Sequence, residues 1–206
     1  MNRYNYVIEK NMKKEVFKMK KITAVFLAIV MLFSAFSFCV TAVDENGNVA
    51  RMWICAEKHK DTGINHVFLY FENLTDETIT VGKYKLAAYD TVSVGCFGTE
   101  GPRGAGIYYN NESALTHYKS LVGLSTELDE GELKSVTKKL NGTPNWWDPI
   151  FNCYYVAARV WNAGGGPNVP FLIFPAWARY YINMKGGGSM NIDLFVEKPI
   201  YKVTEL

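Results

Sequence analysis

Histidine is scarce in this chain, with three in 206 residues, so chemistry that needs an imidazole has only His59, His66 and His117 to draw on. The usual metal and cofactor signatures are missing as well. There is no HExxH, no paired CxxC, no GxSxG and no phosphate-cradling loop. The glycine-rich "GPRGAG" from Gly101 to Gly106 runs into "IYYNNE" rather than a strand-to-helix turn, which excludes a dinucleotide fingerprint. Metal, flavin and nucleotide cofactors are therefore not expected. Prolines number only seven while aromatics make up 15%, a composition that excludes a disordered chain. No internal repeat is visible.

What is present begins with an address. Lys18, Lys20 and Lys21 precede a run from Ile22 to Val40 without a single charge, and Val40-Thr41-Ala42 supplies the small residues of a signal-peptidase site. Residues 1–42 read as an extended signal peptide cleaved after Ala42, leaving a single domain over 43–206. A retained membrane anchor is the alternative, since nineteen uncharged residues just span a bilayer. Cys39 follows Phe38, too bulky for a lipobox, and leaves with the signal. The first 42 residues hold seven of the 22 Lys+Arg and two of the 20 Asp+Glu, so the remainder carries 15 against 18, a formal net charge of −3. The basic footprint of a nucleic-acid binder disappears with the signal. The expected location is secreted or at the cell surface, with no membrane contact after cleavage.

The remaining 164 residues keep Cys55, Cys96 and Cys153, an odd number for a compartment where disulfides persist. Either one pair forms, with Cys55 and Cys96 the candidates, or all three stay as buried thiols.

"VARMWICA" (49–56), "HVFLYFEN" (66–73), "TITVGKYKLA" (78–87) and "DTVSVGCFG" (90–98) have the β-branched and aromatic content of strands. The second and third read as one hairpin turning near Thr75 and Asp76. Two helices are expected in the middle. One is capped by Asn111 with Ala114, Leu115, Tyr118 and Leu121 as its apolar face. The other opens on the capping-box pair Asp129 and Glu132 and stops at Asn141-Gly142. A further helix starts at Cys153, with Val156, Ala157, Val160 and Trp161 at helical spacing and a glycine triplet from Gly164 ending it. A short helix from Pro175 and a closing strand in "IDLFVEKPIYKV" complete the chain, giving an α+β fold with an antiparallel sheet packed against helices.

The first turn of a helix presents unpaired N–H groups and a partial positive charge, both of which favour a thiolate. Cys153 occupies that position and needs a base. His59 lies in the charged "EKHKD", and His117 lies off an apolar stripe, both of which suit solvated surface residues. His66 instead opens an apolar strand after "TGIN", where a rigid scaffold can present an imidazole to a cleft.

"NCYYVAARVWN", Asn152 to Asn162, resembles the cysteine helix of secreted bacterial proteins similar to the NlpC/P60 group of papain-like cysteine hydrolases. Histidine precedes cysteine here, as in the circularly permuted branch of that family. The resemblance implies a permuted papain-like fold with Cys153 as nucleophile and His66 as base. Its implied activity is that of a thiol amidase or peptidase working through a thioester, with a peptide or amide substrate such as peptidoglycan. Tyr154 and Tyr155 stand where such helices carry smaller residues. The expected hairpin would place the region of Lys83 to Lys85 opposite His66 and make Tyr84 the orienting residue. Glu72 and Asn73, roughly 20 Å along the strand at ~3.3 Å per residue, are too far away. The competing expectation is an inactive binding or structural domain of the same fold, with Trp146, Trp147 and Trp161 forming a ligand surface or a core.

Overall fold

The structure, a computed structural model, describes residues 46–59, 65–112, 118–170, 174–190 and 198–206. The expected signal segment, His117 and most of the expected closing strand lie outside them.

The fold is α+β. Seven strands form one sheet in the order β8-β7-β1-β2-β5-β6-β9, every pair antiparallel. The central strands are β1 (Ala50–His59), β2 (Asn65–Asn73) and β5 (Thr91–Phe97), flanked by β6 (Gly106–Tyr109) and β7 (Tyr118–Leu128). Two-residue strands β8 (Gly188–Ser189) and β9 (Tyr201–Lys202) finish the edges. Period-two alternation sorts the side chains. Met52, Ile54 and Ala56 of β1, Val67, Leu69 and Phe71 of β2, and Val92, Val94 and Cys96 of β5 belong to the main core. Cys55, Phe68, Tyr70 and Leu121 form a smaller cluster on the opposite face with Trp53 and Met190.

The main core is closed by α1 (Glu130–Asn141), α2 (Cys153–Trp161) and α3 (Ala178–Met184). In α1 the capping box forms in full: Asp129 accepts from the Glu132 amide at 2.8 Å, and the Glu132 side chain accepts from the Asp129 amide at 3.1 Å. Leu133, Val136 and Leu140 face inward. Trp161 is fully buried and donates through Nε1 to Pro167 O at 2.9 Å. The Asn162 amide exchanges two hydrogen bonds with the Val169 backbone, at 2.7 and 2.9 Å, so the loop after α2 folds back onto it. A 3-10 turn at Pro175–Trp177 leads into α3.

Two expected elements differ. The segment 118–128 is a strand, not part of a helix. Val122, Leu124 and Leu128 reach the main core while Leu121 joins the other cluster, so burial on both faces makes the apolar spacing look helical. The hairpin after β2 also differs. β2 returns to β5, with Phe68 opposite Gly95 and Glu72 opposite Thr91, whereas β3 (Ile79–Val81) and β4 (Tyr84–Leu86) pair only with each other. Asn73 is the cause. Its side chain donates to Glu77 O, Leu86 O and Ala87 O at 2.6, 3.3 and 2.8 Å and accepts from the Thr75 amide at 2.9 Å. Residues 74–90 are thereby tied off as an excursion, closed at its base by the Asn73 amide bonding to Asp90 O at 2.9 Å.

The three thiols are free and buried. Cys55 and Cys96 belong to clusters on opposite faces of the sheet, so the disulfide between them does not form.

Candidate active site

Cys153 is the first residue of α2, and Asn152 is its N-cap. Oδ1 of Asn152 accepts from the amides of Tyr154 and Tyr155 at 3.0 and 3.1 Å, which uses two of the unpaired donors of the first turn. The N–H of Cys153 itself is then the first-turn amide left beside the sulfur. A second hydrogen bond, from Asn152 Nδ2 to Pro149 O at 3.0 Å, fixes the cap in the loop before the helix. Tyr154 turns into the core and donates to Pro170 O at 2.7 Å, so it does not close over the thiol. Cys153 is 7% exposed.

His66 is the second residue of β2. Its ring lies between Phe97, at 4.6 Å between centroids, and Phe68, at 5.8 Å. Cys153 is near enough to act on the ring electrostatically. On the other side, Nε2 lies 3.4 Å from Oε1 of Glu112, whose side chain is fully buried. The second oxygen of Glu112 accepts from Ser93 Oγ at 2.7 Å. Burial of the ring works against its charge, but the hydrogen bond and charge of Cys153, followed by those of Glu112, outweigh it and push His66 up to about 10. An imidazole so placed is an imidazolium at neutral pH.

Glu112 is the residue that sequence reasoning missed. It follows β6 in "YNNE", 46 residues from His66. One signal pointed to it: Gly95 stands inside a strand pattern, which marks a close approach by another group. A Cβ at Gly95 would meet Glu112 Oε1 at 1.7 Å, so only glycine lets this carboxylate cross β5 to reach the imidazole.

Tyr84 does not occupy the orienting place expected of it. The strand register that put it opposite His66 is absent, since β4 pairs with β3. Tyr84 stacks on Tyr109 at 5.3 Å and contacts Asn110, while the carboxylate recorded at His66 is that of Glu112. His59 ends β1.

The other thiols have different surroundings. Burial pushes Cys55 up, and burial followed by the charge of Cys153 pushes Cys96 up to about 12. Cys96 donates to the carbonyl of Trp146 at 3.9 Å, which holds the "NWWD" loop beside the start of α2. Trp146 leans on Phe151, at 4.7 Å, and Phe151 meets Tyr155 edge-on at 4.9 Å. Trp146 and Trp147 remain 45% and 40% exposed, whereas Trp161 belongs wholly to the core.

Compared with protein-family models, curated proteins and solved structures, the chain matches none. Among the described residues no group of histidine, cysteine and carboxylate side chains could hold a metal ion, and no helix is long and apolar enough to cross a membrane.

Proposed function

We propose that this protein is a secreted cysteine hydrolase, an amidase or peptidase acting through Cys153, His66 and Glu112. The observation that carries the reading is the His66 imidazole, electrostatically coupled to Cys153 at the start of α2 and backed at 3.4 Å by the buried carboxylate of Glu112. The order of elements, with the histidine strand ahead of the cysteine helix, agrees with a permuted papain-like arrangement. The resemblance of "NCYYVAARVWN" to the NlpC/P60-like cysteine helix supports the same class.

In this mechanism the Cys153 sulfur attacks the carbonyl carbon of an amide, and the oxyanion that forms is held by the Cys153 N–H at the start of α2. His66, protonated at neutral pH, gives its proton to the departing amine. Its Nε2 is engaged by Glu112, so Nδ1 is the nitrogen that exchanges the proton. A thioester remains on Cys153. His66, now neutral, takes a proton from water, the hydroxyl attacks the thioester, and the carboxylic acid leaves as Cys153 is released as a thiolate beside the reprotonated His66. Glu112 and Ser93 keep the ring oriented throughout. The exposed Trp146 and Trp147 provide an aromatic rim before the cysteine helix, suited to an extended peptide.

The compartment suggests peptidoglycan stem peptides as substrate. Protein beginning at Val43 is expected to release peptides from purified peptidoglycan, and Cys153→Ser is expected to stop release while retaining binding. Release undiminished by Cys153→Ser would overturn the assignment. The exposed Trp146 and Trp147 also favour a second reading, a binding domain without turnover. In that case retention on peptidoglycan would depend on these tryptophans and no peptide would be released.

A further inference from the structure

Glu57 is a buried acid for which the mechanism above has no use. It lies on β1 directly opposite His66 in the antiparallel register, so the two side chains share a face of the sheet. Its other cross-strand neighbour, Leu121 of β7, is apolar. The residue is 3% exposed, and its Oε2 has no hydrogen-bond partner among the described residues. An orphaned oxygen of this kind is costly and contributes nothing to folding. Buried polar groups held at such a cost cluster at functional sites.

We infer that Glu57 is a positioning residue of the site, a second carboxyl that shares the His66 ring with Glu112 and keeps it an imidazolium at the alkaline end of the working range. The inference rests on the reading of His66 as the partner of Cys153. Among the described residues few other ionisable groups face Glu57. On β1 the neighbouring ionisable group of the same face is Cys55, and from β2 it is His66. Glu112 enters from beyond β6, Cys153 from α2, and Arg179 of α3 donates to Ala56 O at 3.2 Å and Ser120 O at 2.8 Å. Burial raises Glu57 to about 7, with the positive His66 lowering it and Glu112 raising it. Near neutrality Glu57 therefore exchanges a proton. Below that pH His66 faces one carboxylate, and above it two, so the second charge is in place before pH reaches the range, about 10, in which His66 loses its proton.

The test is an NMR titration of the His66 ring in the intact protein and in Glu57→Gln, with a His66→Gln variant to assign the signal. The wild-type ring should show a small inflection near pH 7 before its own transition. Glu57→Gln should abolish that inflection and lower the His66 midpoint by about one unit, the effect of removing one nearby opposite charge. Superimposable curves, or a higher midpoint in Glu57→Gln, would overturn the proposal. The same titration in a Cys153→Ser background reads the Glu57–His66 coupling without the thiol. A shift there with an unreactive Cys153 in the wild type would remove the hydrolase reading and leave the coupling standing. A reactive Cys153 with no shift would do the reverse. Infrared detection of the carboxyl gives a second readout: a protonated C=O band that persists to about pH 7 and vanishes in Glu57→Gln is expected, and its absence at pH 6 would overturn the proposal.

Discussion

At the scale of the residue, the site is a study in opposing charges. His66 is raised from 6.5 to about 10, so the stability it contributes is complete below pH 6.5 and is lost as pH rises through about 10. Glu112→Gln keeps the Ser93 contact and removes the charge. It is expected to lower the pH at which His66 loses its proton and to destabilise the protein at pH 7 by about 2 kcal/mol, the worth of a buried hydrogen bond to a charged group. Chemical denaturation together with the His66 titration checks both. Glu57 is raised from 4.5 to about 7, so its contribution is complete below pH 4.5 and gone once pH passes about 7. Glu57→Gln should accordingly be more stable than wild type at pH 8, by on the order of 2 kcal/mol, and show no gain at pH 4. Loss of stability at pH 8 would mean that the carboxylate has a partner that strengthens the fold. A gain in stability from removing a site residue is the expected sign of a group kept for function.

At the scale of the element, the site depends on two local devices. The first is Gly95, whose missing side chain lets Glu112 cross β5. Gly95→Ala should displace Glu112 and lower the His66 midpoint as Glu112→Gln does, although neither His66 nor Glu112 has been altered. An unchanged titration would show that Glu112 reaches the ring by another route. The second device is the Asn152 cap. Asn152→Ala is expected to cost about 1 kcal/mol and to slow alkylation of Cys153, because the amides of Tyr154 and Tyr155 lose their acceptor and the first turn frays. These devices mark the boundary of what could be read in advance. The cysteine helix and α1 were legible because caps, stop signals and apolar spacing are local. The strand at 118–128 was not, since its neighbours β1 and β8 come from opposite ends of the domain and burial on both faces hides the alternation. Tyr84 was misplaced for a related reason: one buried asparagine, Asn73, diverts the chain after β2, and nothing in residue type alone announces which carbonyls its side chain will take.

At the scale of the whole molecule, the candidate pair is drawn from two elements, a helix and a strand of the sheet. The helix bearing Cys153 packs into the main core, while His66 at the start of β2 has Glu112 at 3.4 Å and Glu57 opposite it in the strand register. Cys153 and His66 stand out in the sequence because a helix-start thiol and a strand-borne histidine each have a local signature. Glu112 is joined to them only by tertiary structure. The same arrangement distinguishes the thiols: burial pushes Cys55 and Cys96 up, and among the described residues Cys153 is the thiol that His66 responds to. The central claim is that this pair performs acyl transfer, and the direct measurement is intact mass after exposure of the folded, reduced protein to an activated-ester probe at pH 7, with the acylated residue mapped by peptide mass. The account predicts a single adduct on Cys153, absent in Cys153→Ser and formed roughly a hundredfold more slowly in His66→Ala. No adduct on Cys153, one shared equally with Cys55 and Cys96, or one formed at the same rate without His66 would contradict it.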